Sequence, residues 1–176
     1  RVVQRAAHLD PPEAPPRLHF APAPAADAFA EPDVPADSGR LIDVMIVWTP
    51  EAEAAAGNAA AMQILAQASV DNANMTYLNS GVAQRLRLVH RQQVTYAEVA
   101  TCVGRTDAFD CARDAITNGD VPGLHSLRDQ HGADLVSLFI NSRGFCGSAW
   151  IPYPPSAATA TRGYSVVQWR HHCLAD

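Results

Sequence analysis

Gly132-Ala133-Asp134-Leu135-Val136-Ser137-Leu138-Phe139-Ile140, running on through Asn141-Ser142-Arg143-Gly144-Phe145-Cys146 into Gly147-Ser148-Ala149-Trp150, is the stretch that orders the rest of the chain. Its first part is a continuous apolar run of strand length, entered from a glycine able to stop a helix, which is how a strand covered on both faces reads. That places Leu135 to Ile140 in the middle of the core. Its second part follows a polar turn and alternates small and large side chains up to Trp150, the pattern of a shorter, more exposed strand.

Working backwards, Val121 to His131 carries Leu124 and Leu127 on one helical face and delivers the chain into Gly132. A helical piece from Cys111 to Thr117 precedes it, within a less regular region from Thr95 to Asn118. Val82 to Val94 alternates, with Leu86 and Leu88 on one side and Arg85, Arg87 and Arg91 on the other, so it reads as a strand with one wet face. Those arginines are read as a solvated strand face in preference to an anion grip. Ala52 to Leu78 reads as a long helix, with Met62, Leu65, Ala66, Ser69, Ala73, Thr76 and Tyr77 at helical spacing and Gly57-Asn58 liable to fray or kink its start. Thr49-Pro50-Glu51 supplies its N-cap, its proline at the first helical position and an acidic first turn. Leu41 to Trp48 is a β-branched-rich first core strand.

Working forwards, Ile151-Pro152-Tyr153-Pro154-Pro155 breaks regular structure, Ser156 to Arg162 reads as a small-residue loop, and Gly163 to Trp169 as a final strand. Strand, long helix, strand, short helix, strand is the pattern of right-handed parallel crossovers. The fold class is therefore α/β or α+β with a mostly parallel sheet. Residues 1–40 hold eight of the thirteen prolines and cannot bury enough apolar surface to offset their ordering entropy, so they read as a disordered linker or the end of a pro-segment. Residues 41–176 form the ordered domain.

A net charge of -5 and a pI near 5.7 give no basic field for nucleic acid or an anionic membrane. No apolar run approaches the ~20 residues of a membrane span, and no signal segment opens the chain, which begins at Arg1 and is expected to be a processed product or a fragment. The four cysteines fall into two local pairs, Cys102 with Cys111 and Cys146 with Cys173. An even count in short loops favours two disulfides and an exported protein, extracellular or periplasmic, over free thiols, with connectivity open.

Within the chain there is no Gly-x-Ser-x-Gly elbow and no phosphate-cradling glycine loop. Cys146 sits on a glycine-flanked turn, but no base is marked beside it and Cys173 is an available partner, which disfavours a catalytic thiol. His125 and His131 are six apart, on different sides of a helix, and read as surface residues. His171-His172 are adjacent, so on a strand they point to opposite faces and make a poor shared metal site.

Taken in order, Ile42 to Pro50, Asn79-Ser80-Gly81-Val82, Leu86 to His90, Leu127 to Leu138, Cys146 to Trp150, and Tyr164 to Val167 before Cys173 resemble bacterial reprolysin-like zinc metallopeptidases of the metzincin clan. The resemblance runs from about Leu41 to Asp176. It implies a five-stranded, mostly parallel twisted sheet with one antiparallel edge strand, followed by a helix carrying HExxHxxGxxH, whose three histidines bind zinc and whose glutamate acts as general base on zinc-bound water. No residue here matches those ligands, that glutamate or the methionine turn. The site residues that carry over are Gly147, Ser148, Ala149 and Trp150, similar to the family's substrate-binding edge strand, with Cys146 and Cys173 resembling a bridge that anchors it.

The expectation is the N-terminal subdomain of a secreted zinc metalloendopeptidase acting on protein or peptide substrates. It ends before its catalytic helix, is inactive alone and binds no zinc itself. The alternative is a non-catalytic binding module holding a protein partner on the same edge strand; a third reading is a small α/β protein with metal at His171-His172. A truncated domain would also leave an apolar face uncovered and prone to self-association.

Overall fold

The computed structural model describes residues 41–98, 107–151, 153 and 156–170. Cys102, Cys173, His171, His172 and residues 1–40 lie outside them. Ten elements follow in order: β1 (Leu41–Trp48), α1 (Pro50–Ala56), α2 (Ala59–Asn79), β2 (Arg85–Gln93), α3 (Ala108–Asn118), α4 (Leu124–His131), β3 (Leu135–Ile140), β4 (Gly147–Ala149), a 3-10 helix (Ala157–Arg162) and β5 (Tyr164–Gln168). The strands form one five-stranded sheet in the order β2-β1-β3-β5-β4. β1 runs parallel to β2 and β3, β3 runs parallel to β5, and β4 alone is antiparallel, against β5. The apolar run from Leu135 to Ile140 is thus the central strand, and the fold is α/β with a mostly parallel sheet, as the sequence pattern implies, and one antiparallel edge, as the family resemblance implies.

Alternation along the strands sends side chains to two separate cores. Met45, Val47, Val136, Leu138, Ile140 and Val166 pack on one face with Phe109, Ala112, Ile116 and Leu124 from α3 and α4. Val44, Ile46, Trp48 and Phe139 pack on the other with Ala52 of α1 and Met62, Ala66 and Val70 of α2. Each fully buried aliphatic or aromatic chain contributes roughly 1.5–3 kcal/mol, so helices on both faces hold β1 and β3 in place.

Several local readings need correction. The long helix is two helices, because Gly57 takes φ 109 and Asn58 begins a new cap, its side chain accepting from the Ala61 amide at 3.0 Å. The buried row of α2 is Met62, Ala66 and Val70, while Thr76 is exposed. α3 starts at Ala108 instead of Cys111, since Asp107 caps it by accepting from the Phe109 amide at 2.8 Å. The loop after Ser156 is a 3-10 turn with a Ser156–Thr159 capping box. β2 does not keep its three arginines on one face. The pairing shifts between Val44 and Met45, so Leu88 faces Val44, His90 faces Met45 and Val89 is the extra residue of a bulge. Beyond it the faces swap: Arg87 grips Asp43 with two 2.7 Å bonds, whereas Arg91 reaches over α2 to the Gln63 carbonyl at 3.0 Å.

His125 and His131 are partly exposed, and each ring is packed on one side. His125 Nε2 bonds the Ile116 carbonyl at 2.8 Å and its ring stacks on Tyr164, and His131 stacks on His90 with ring centroids 3.9 Å apart. Helices cover both faces, and the bare region is a strip: on the α2 side, Leu135 is exposed and Ser137, Ser165 and Val167 are half-buried. Among the described residues no helix is long and apolar enough to cross a membrane.

Candidate functional site

The sheet ends at β4, and the residues around that edge are tied down from three directions. Gly147 pairs with Val167, Ser148 with Val166 and Ala149 with Ser165. Glycine is required at the first position by close approach: a Cβ on Gly147 would lie 2.8 Å from the Val166 carbonyl oxygen. Trp150, expected inside this strand, lies just beyond it.

The second tie comes from α3. Arg113 donates to the Ser148 hydroxyl at 2.8 Å and to Asp110 at 2.6 Å, Ser148 donates to Asp110 at 2.9 Å, and Asp114 accepts from Arg113 at 3.1 Å. The guanidinium also lies 4.1 Å from the centroid of the Trp150 ring, whose indole N–H bonds Thr117 Oγ1 at 2.9 Å. Two carboxylates thus neutralise Arg113, and its task is to hold the edge strand to the helix.

The third tie is Glu98. It is buried at 6 % exposure, and its carboxylate accepts from the Thr49 hydroxyl, from the Asn141 amide at 2.7 Å and from the Ser142 hydroxyl at 2.8 Å. A buried carboxylate is tolerated only when donors replace its lost hydration, and three do so here. Thr49 is also the cap of α1, accepting from the Ala52 amide at 3.0 Å, so one acid joins the end of β1, the start of α1 and the exit of β3. Gln168 Nε2 then donates to the Ser142 carbonyl at 3.0 Å and the Trp169 indole to Asn141 Oδ1 at 2.8 Å, fixing the turn that leads into β4.

Sequence reasoning found the edge strand but none of these ties. Thr49, Glu98 and Asn141 are separated by more than forty residues, and only the i,i+3 spacing of Asp110 and Arg113 left a local signal. Among the described residues no group of three or more His, Cys, Asp or Glu could hold a metal ion. The described residues therefore do not form a zinc centre. The arrangement offers a preorganised edge. Among the described residues no side chain bonds the backbone of Gly147 to Ala149, so its outward groups remain available to an extended peptide.

A mostly parallel five-stranded sheet closed by a short antiparallel edge, with helices on both faces, is a metzincin-like arrangement. Residues 38–169 match the model of metallo-peptidase family M12B, reprolysin-like, and the chain belongs to that family. It is 36% identical over 113 residues to a peptidyl-Asp metalloendopeptidase of Pseudomonas aeruginosa, covering 64% of this chain and 17% of that protein. It is 31% identical over 133 residues to a peptidyl-Asp metalloendopeptidase of Xanthomonas campestris, covering 75% of this chain and 29% of that protein. The chain thus spans less than a third of these relatives. A chain in a solved chaperone–substrate complex shares the fold, with a TM-score of 0.55 and 24% identity over 73% of this chain and 20% of its own length.

Proposed function

We propose that the chain is the N-terminal part of a secreted, zinc-dependent metalloendopeptidase, in which Gly147 to Trp150 receive the substrate backbone as an added strand. The observation that carries this is the β4 edge, held by Arg113 and Glu98 on its protein side and, among the described residues, paired with no strand on its outer side. Family membership supports peptide hydrolysis as the activity of the whole protein, and the names of the relatives support peptides containing aspartate as its substrates. The zinc ligands and the general base are supplied by sequence outside these 176 residues, so the chain alone does not hydrolyse peptides.

Residues 1–40 are assigned as a linker or the end of a pro-segment, and the strip around Leu135 and Val167 as a surface that another element or a second copy covers. Disulfides Cys102–Cys111 and Cys146–Cys173 belong to the same proposal and support secretion. In the described part Cys111 is buried on α3, Cys146 precedes β4, and neither is a free thiol. Closing so short a loop as Cys102–Cys111 would favour the folded state by ~2–3 kcal/mol.

Hydrogen exchange of the chain with and without an extended peptide tests the edge. Slowed exchange at the outward amides of Gly147 and Ala149, with the peptide left intact in the presence of zinc, is expected. Unchanged exchange there would sink the edge reading, and cleavage by the chain alone would sink its inactivity.

A further inference from the structure

The sequence from Leu135 to Ala175 holds three arginines, Arg143, Arg162 and Arg170, and no aspartate or glutamate, although the chain as a whole carries a net charge of -5. This acid-free stretch is the one that contains β4 and its ladder partner β5. Two of its arginines sit at opposite ends of the ladder, and each leans on a tryptophan. The Arg162 guanidinium lies 5.5 Å from the Trp150 ring centroid, past the C-terminal end of β4. The Arg170 guanidinium lies 5.6 Å from the Trp169 ring, past the end of β5 that faces the start of β4.

Both platforms are immobilised, since the two indole N–H groups bond Thr117 and Asn141. Arg113 shares the Trp150 ring but is neutralised by Asp110 and Asp114; Arg162 and Arg170 have no carboxylate partner among the described residues, and the Arg170 Nε is buried without a hydrogen-bond partner. A guanidinium that rests near an immobilised aromatic ring loses part of its rotamer freedom, and its planar fork suits a carboxylate.

We propose that Arg162 and Arg170 are specificity-determining residues that bracket the edge strand and select extended peptides carrying acidic side chains. This rests on the reading of β4 as the substrate edge and adds the groups that read the substrate's charge. The acids nearest the edge, Asp110 and Asp114, are taken up by Arg113, so among the described residues neither is paired with Arg162 or Arg170.

The test is fluorescence anisotropy on the full 176-residue chain, with a labelled extended peptide bearing one aspartate and the same peptide bearing asparagine there. The aspartate peptide is expected to bind about tenfold more tightly, as for a charge-assisted bidentate pair, with the advantage shrinking as salt rises. Arg162→Gln and Arg170→Gln should each reduce that advantage and leave asparagine-peptide affinity unchanged, Arg→Lys at either site should retain part of it, and Arg91→Gln on the far edge should change nothing. Unchanged asparagine-peptide affinity also shows that each variant is folded. Equal binding of the two peptides by the wild-type chain overturns charge selection while leaving the edge reading intact. No binding of either overturns both, and discrimination that survives both glutamine variants overturns the assignment to these arginines.

Discussion

β2 and β4 close the same sheet on opposite sides and treat their outer backbone in opposite ways. β2 is nine residues long, and a strand of that length left bare would template pairing with another chain. It is defended at three points. The Asn74 side chain of α2 donates to the Leu86 carbonyl at 2.8 Å and accepts from the Leu86 amide at 2.7 Å, standing in for a neighbouring strand. The Val89 bulge interrupts the pairing, and Arg85, Arg87 and Arg91 put charge along the strand. β4 is three small residues with no such cover among the described residues, yet it is anchored from behind by Glu98, Arg113 and the β5 ladder. The protein guards one edge and stiffens the other, as the proposed use of β4 requires.

Three substitutions can break or sharpen that contrast. Glu98→Gln should have the largest effect, because an amide would present a donor to a pocket of three donors. A loss of about 2–3 kcal/mol in urea denaturation is expected, with faster amide exchange at Asn141 and through β4. A stability loss without faster exchange at β4 would show that Glu98 serves the core and not the edge. Asn74→Ala should cost about 1–2 kcal/mol by orphaning the Leu86 groups and should let copies associate through β2 in sedimentation. A variant that stays monomeric would show that the bulge and charges suffice. Ser148→Ala should cost about 0.5–1 kcal/mol, since Asp110 and Arg113 still hold each other, and should weaken peptide binding at β4 more than it lowers stability. The reverse order would mean that Ser148 matters to α3 packing alone.

What the sequence made legible follows from the range of each interaction. Leu41 to Trp48 and Leu135 to Ile140 are apolar runs broken only by Asp43 and Ser137, and both are strands with the bounds read from them. Thr49-Pro50 and Gly132 are helix punctuation with a local cause, and both act as such. The split at Gly57-Asn58 was visible as a weak point but not as a break, because only the Asn58 cap makes a second helix start there. The bulge left a smaller trace, the adjacent pair Leu88-Val89 inside an alternating strand. The edge strand was legible as a short exposed strand, and its role rested on family resemblance. The acids and arginines that position it could not be read, because a carboxylate that joins β1 to β3 across an intervening strand and four helices leaves no period in the chain.

The bulge at Val89 also marks where this chain can change length. Removing that one residue would restore plain alternation along β2 and leave its pairing as it is, because Leu88 would still face Val44, His90 Met45 and Arg91 Ile46. His90 would keep its side of the sheet, towards His131, and Arg91 its side, towards α2. A single codon deletion at this position is therefore one the sheet can absorb, whereas loss of a paired neighbour would turn the rest of the strand over.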